Sequence, residues 1–173
     1  MKQVRPIKLI LYLSVFTLLV CCTVNYSFNG GKVPNGAKTI QIDYFPVSSK
    51  APLASGLSSQ TFTEALRDVF LAQTKLDMVS EKGDLVFQGE IVAYSISPIN
   101  ISSTSETADQ NRLTMGVQVN YYLGGDSLIF ERQFKRFADY ESNKEFSTIE
   151  EDLLAEINDQ LTQDIFNASL GDW

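Results

Sequence analysis

Histidine is absent from the 173 residues, and cysteine occurs twice, both times within the first 22 positions. Without histidine the chain lacks the usual general base near neutral pH, a common transition-metal ligand and the Ser-His and Cys-His pairs of hydrolases. A domain with no cysteine after Cys22 holds no internal disulfide, so packing alone must stabilise it. Positive charge is also scarce, with 14 Lys and Arg against 21 Asp and Glu and a net of −7. Nucleic-acid phosphates require clustered cations, and this balance argues against them as partners. Nor does it favour broad electrostatic attachment to anionic lipid. No apolar run approaches the roughly 20 residues that a membrane-spanning helix needs.

The longest apolar run, residues 9–20, has a different character. Lys2, Arg5 and Lys8 precede it, and Cys21, Cys22 and the polar Thr23 follow. A basic start, a short apolar middle and a small-residue boundary describe a secretory signal peptide. A cysteine at that boundary fits a bacterial lipobox, in which it is acylated and becomes the mature N-terminus. Cys22 is the expected acceptor because Cys21 before it is smaller than Val20, with Cys21 as the alternative. The division that follows is a signal peptide over 1–21, a lipidated tether over 22–38 and one domain over 39–173. Three of the 14 basic residues leave with the signal, so the mature part carries 11 against 21 acidic ones, a net of −10.

Hydrophobic periodicity outlines the domain. Ile40, Ile42 and Tyr44 alternate with Gln41 and Asp43, which predicts a half-buried strand over 39–45. From Ser58 to Thr74 the spacing changes to three and four, predicting a helix with Ser58 or Ser59 as cap and a capping box from Thr61 to Glu64. Met78 and Val79 suit a brief pairing. Three longer strands follow. Leu85, Phe87, Ile91 and Ala93 share one face of the first, with Val86, Val92 and Tyr94 on the other. Leu113, Met115, Val117, Val119 and Tyr121 alternate strictly along the second. Gly124 and Gly125 mark a hairpin turn into the third, from about Leu128 to Ala138. There Arg132 and Arg136 share a parity with Phe130 and Phe134, which suggests a bulge or an edge position. Residues 98–111 read as a long polar loop. The last helix starts with a capping box from Ser147 to Glu150, and Ile149, Leu153, Ile157, Leu161 and Ile165 recur every fourth residue. The predicted architecture is α+β, a two-layer sandwich. A four-stranded, mostly antiparallel sheet carries two helices on one face in the order β-α-β-β-β-α.

Two groups of charged side chains could carry chemistry. Glu150, Glu151, Asp152 and Glu156 lie on an amphipathic helix and read as its solvated face, not as a metal or acid-base site. Arg132, Lys135 and Arg136 form the one dense basic cluster in an acidic domain. They suit either contact with phosphate groups, through the forked donors of arginine, or a strand that faces solvent or a partner. No catalytic constellation, metal site or cofactor is expected.

Several strings in order resemble the LPS-assembly lipoprotein family (LptE), most of all its Bacteroidetes-type branch. They are YSFNG at 26–30, TIQIDYFP at 39–46, LSSQTFTEALRD at 57–68, GDLVFQGE at 83–90 and FADYESN at 137–143. The QDIFN at 163–167 and the terminal Asp172-Trp173 also match. The resemblance implies a non-catalytic outer-membrane lipoprotein, held by N-terminal acyl chains, facing the periplasm and seated inside the lumen of the lipopolysaccharide-exporting β-barrel. It would assist assembly of that barrel and delivery of lipopolysaccharide, with direct contact to lipopolysaccharide left open. The alternative is a stand-alone lipid-binding or transporter-accessory lipoprotein.

Overall fold

The computed structural model describes residues 32–99 and 110–171. The signal peptide, Cys21, Cys22, most of the tether, Trp173 and the centre of the 98–111 segment lie outside the described residues. The elements are β1 (Thr39–Ile42), α1 (Gly56–Gln73), β2 (Asp77–Met78), β3 (Leu85–Ile99), β4 (Gln110–Leu123), β5 (Ser127–Glu141) and α2 (Phe146–Leu170). The sheet is five-stranded in the order β2-β1-β3-β4-β5, with β1 parallel to both of its neighbours and β3-β4-β5 an antiparallel meander. The expected four strands are corrected to five: the brief pairing at Met78 is a strand of the sheet in its own right, with Met78 beside Ile40. The observed order is therefore β-α-β-β-β-β-α. Both helices lie on one face, as expected.

The core-facing row of β4 follows its alternation, with Leu113, Met115, Val117, Val119 and Tyr121 all buried. A line of aromatic rings then joins the layers. Phe166 on α2 meets Phe70 on α1 at 5.2 Å, and Phe70 meets Phe87 on β3 at 4.7 Å. Phe87 stacks on Tyr121 at 4.7 Å with the rings 8° from parallel, and Tyr121 meets Phe130 on β5 at 5.5 Å. Buried ring pairs of this kind are worth about 0.5–1.5 kcal/mol beyond the area they remove from water.

Three local expectations are corrected. Strand β1 stops at Ile42 because Phe45, not Tyr44, turns inward: Phe45 is fully buried and Tyr44 is 54% exposed. Gly89 makes the room. A Cβ there would collide with the Gln118 carbonyl and come within 2.7 Å of the Phe45 ring. The chain beyond the bend still follows β3, with the Ile91 N–H donating to the Pro46 carbonyl at 2.9 Å. On β3 the register shifts between Ile91 and Ala93, so Val92 is an extra residue and the faces exchange. Tyr94 is therefore buried and Ala93 lies on the other face. Lastly, β3 runs through Pro98 to Ile99 and β4 begins at Gln110, which shortens the predicted loop at both ends.

The helix caps also differ. Helix α1 begins at Gly56 behind Ser55, whose N–H donates to Ser58 Oγ at 3.4 Å. Thr61 Oγ1 turns to the Leu57 carbonyl instead of forming a box with Glu64. On α2, Ser147 Oγ donates to Glu145 Oε1, while Glu150 accepts from the Tyr94 hydroxyl at 2.7 Å. A sheet contact thus recruits the acid that a local cap would have used. Burial, and then the bond to Glu150, hold the Tyr94 hydroxyl well above its usual pKa.

Asp84 fastens the opposite end of the sheet. Its Oδ2 accepts from the Lys38 N–H, the Thr39 N–H and Thr39 Oγ1 at 2.8, 3.0 and 2.9 Å, and its carbonyl accepts from the Gly124 N–H at 2.7 Å. Gly124 and Gly125 turn the β4-β5 hairpin with φ of 65° and 86°, which side chains disfavour. The backbone bonds, chiefly that from Lys38, pull the Asp84 carboxyl below the usual carboxylate range. A carboxyl with a lowered folded pKa adds stability above its unfolded value of about 3.9, and that stability is lost as pH falls through the folded value. Asp84→Ala should therefore lower the denaturation midpoint at pH 7, and the gap from the unmodified protein should narrow as pH falls from about 3.9 through the lowered folded value. Paired urea titrations check this. A gap unchanged by pH would show that the charge is not what fastens this end.

Candidate functional site

The basic cluster lies on β5, one edge of the sheet, and the register separates its members. Arg132 pairs with Val119, Arg136 with Met115 and Phe134 with Val117, so all three β5 residues face the helix layer. Lys135 pairs with Gly116 and faces the opposite, open side. The three cations do not converge on one ligand.

Their surroundings differ as well. Arg136 makes a two-pronged ion pair with Asp164 on α2, with Nε and Nη2 at 2.6 and 2.8 Å from the carboxylate oxygens. That bond raises the guanidinium pKa further, so Arg136 stays charged and is already partnered. At 44% and 31% exposure the pair is open to solvent, and such pairs contribute only about 0–1 kcal/mol. Arg132 is the contrasting case. Its guanidinium carbon lies 5.6 Å and 6.0 Å from the centres of Phe130 and Phe134, and no carboxylate among the described residues reaches it.

Between β5 and α2 runs a cleft in two parts that share Asp164. One part, of about 370 Å³, is lined by Arg132, Phe134, Asn167 and Ala168; the other, of about 420 Å³, by Arg136, Asp159, Gln160 and Gln163. Glu151, Asp152 and Glu156 are exposed, as the solvated-face reading expects. Among the described residues no cluster of carboxylates is disposed to hold a metal ion.

Sequence reasoning missed two arginine environments. Arg112 forks onto Asp139 at 2.7 and 2.8 Å across β4 and β5, with its guanidinium 3.6 Å over the Phe137 ring. The bond from Arg112 also holds the Asp139 carboxyl below its usual range. Arg67 reaches from α1 to donate to the Ile42 carbonyl at 2.8 Å, in an open cleft of about 450 Å³ rimmed by Tyr44. Strand pairing creates the first and helix-on-sheet packing the second, and a linear pattern reveals neither.

A family model described as LptE, lipopolysaccharide-assembly, matches residues 37–169, from the end of the tether almost to the C-terminus of α2. The chain belongs to the LptE family. Lipopolysaccharide assembly is therefore its function class, and the family is a non-enzymatic one. No curated protein matches the chain. Among solved structures, a minor lipoprotein from Acinetobacter baumannii is similar at a TM-score of 0.51 and 13% identity, covering 77% of this chain and 93% of that one. Rare lipoprotein B from Shewanella oneidensis gives 0.49 and 14%, covering 76% and 92%. At such identities the first of these shows the shared fold. The matched residues take in all five strands and both helices to within one residue of the end of α2.

Proposed function

We propose that this LptE-family protein is an outer-membrane lipoprotein, acylated at Cys22, that sits in the lumen of the lipopolysaccharide-exporting β-barrel. There it assists the barrel's assembly and supports delivery of lipopolysaccharide to the cell surface. The observation that carries the reading is the family match across essentially the entire folded domain. The physical logic is consistent with it. An acyl anchor raises the local concentration of the domain beside a membrane-embedded partner. A disulfide-free sandwich with one helix-covered face leaves its other sheet face open for a partner to meet. The acidic balance suits a protein–protein role better than broad adhesion to anionic lipid.

The basic side chains belong to this proposal as a surface. Arg132 and Lys135 are available to anionic groups of the partner or of lipopolysaccharide, whereas Arg136 is engaged by Asp164. Depletion of the protein in its native cell tests the role. The export barrel should then accumulate in a form that no longer shifts on heating in gel electrophoresis, and lipopolysaccharide at the surface should fall. A barrel that assembles normally after depletion would remove the assembly role.

A further inference from the structure

A cleft of about 290 Å³ between α1 and α2 is lined by charge of one sign. Glu64 and Asp68 stand on its α1 wall about one helical turn apart, and Glu151 and Asp159 on its α2 wall about two turns apart. All four are exposed, and among the described residues none of them is in an ion pair. Glu64 accepts from the Gln60 amide at 3.1 Å. No cation offsets the group. Over its 25 residues α2 has no Lys or Arg, and the single cation of α1, Arg67, turns away to the Ile42 carbonyl. Like charges spaced as Glu64 and Asp68 are weaken a helix, so the arrangement does not serve stability.

A second signal lies in the same cleft. Asn158, which lines it, is 2% exposed, and its Nδ2 donates to Thr61 Oγ1 at 3.2 Å. Thr61 Oγ1 itself donates to the Leu57 carbonyl at 2.9 Å, so it accepts from the amide and Oδ1 is the acceptor that remains. Among the described residues Asn158 Oδ1 has no donor. A buried acceptor left unpaired is costly, and a donor brought into the cleft relieves it. Ala65 and Ala155 complete the lining with small apolar groups. Acids at the rim, an unpaired acceptor between them and an apolar bed describe a receptor for a long side chain that ends in a charged donor. Lysine has this form, with methylenes that lie along apolar surface and an ammonium with three N–H donors. A bare metal ion does not suit the site, since among the described residues no group of acidic side chains is disposed to hold one.

We propose that the α1–α2 cleft docks a lysine-bearing segment of a partner protein, with one ammonium on Asn158 Oδ1 and its neighbours on the rim carboxylates. Basic residues about 6–7 Å apart, one turn of a helix or alternate residues of a strand, match the spacing of those acids. The partner need not be the export barrel, so failure here leaves the assembly role standing. Full-length protein in detergent can be titrated with a blocked heptapeptide of alternating lysine and alanine, and with the same peptide acetylated on every lysine. Spermidine and calcium chloride are titrated separately. Amide NMR shifts are read across the chain, the Asn158 side chain included. The lysine peptide should move residues 61–68 and 151–159 and the Asn158 carboxamide, and the acetylated peptide should move none of them. Glu64→Gln, Asp68→Asn and Glu151→Gln together should weaken the lysine peptide's binding by about tenfold. Neutralising as many exposed acids elsewhere, with Glu81→Gln, Glu131→Gln and Glu141→Gln, should change it by less than about twofold. Equal weakening by the two sets, an unmoved Asn158 carboxamide or no binding at all would overturn the proposal. So would calcium or spermidine binding as tightly as the peptide, or a dimer formed through this face without it.

Discussion

Phe87→Ala should cost about 3–5 kcal/mol of stability, the range for removing a buried ring from a close-packed core. Phe87 is fully buried and joins two of the ring contacts that tie the layers together. It stacks on Tyr121 at 4.7 Å and abuts Phe70, itself in contact with Phe166, at 4.7 Å. Without the ring, α1 loses its contact with the centre of the sheet, and α2, which packs on α1, loses support in turn. With total stabilities of about 5–15 kcal/mol for domains in general, the variant should be close to unfolding at 37 °C. Chemical denaturation of the two proteins measures the difference. A loss under about 1 kcal/mol would mean that this ring line is not the backbone of the core.

Cys22→Ala should abolish acylation and move the protein out of the membrane fraction while leaving its fold unchanged. Each buried methylene of an acyl chain contributes about 0.8 kcal/mol to membrane binding. The domain offers no comparable replacement: among the described residues no helix is long and apolar enough to cross a membrane. Labelling with radioactive palmitate, followed by fractionation, provides the readout, and circular dichroism provides the control for folding. Cys21→Ala should keep both the label and the location. If Cys22→Ala still takes up palmitate and Cys21→Ala does not, the acceptor is the neighbouring cysteine.

How far the fold was legible depended on whether the determinants were local. Strand β4 and the apolar stripe of α2 were readable because each repeats one period against one neighbouring layer. Leu113 to Tyr121 on β4, and Leu153 to Ile165 on α2, are buried as their spacing requires. What escaped was set by residues distant in sequence. Phe45 turns inward because Gly89, 44 positions later, has no side chain. Tyr94 joins the core because Val92 is an extra residue against β4. Glu150 leaves its expected cap because Tyr94 comes within bonding distance. A two-residue strand such as β2 is too short to show any period.

The basic cluster was legible as composition but not as geometry. Arg132 and Arg136 share a face, as their common parity implies. The linear string could not show that Asp164, 28 residues away on α2, takes Arg136 and leaves Arg132 free. The edge position suggested by the mixed parity of β5 is what the sheet order shows. The register shift beside Tyr121 makes Ile129 the extra residue, ahead of Phe130, so a bulge does not account for the shared parity and the edge position does.

The central claim is that the protein works as a stable subunit of the lipopolysaccharide-exporting barrel. The most direct measurement is purification of the tagged, full-length protein from membranes solubilised in a mild detergent, followed by determination of what accompanies it and in what ratio. The account predicts a one-to-one complex with a large outer-membrane β-barrel that survives size-exclusion chromatography. Recovery of the lipidated protein as a free monomer, with that barrel eluting separately, would contradict it.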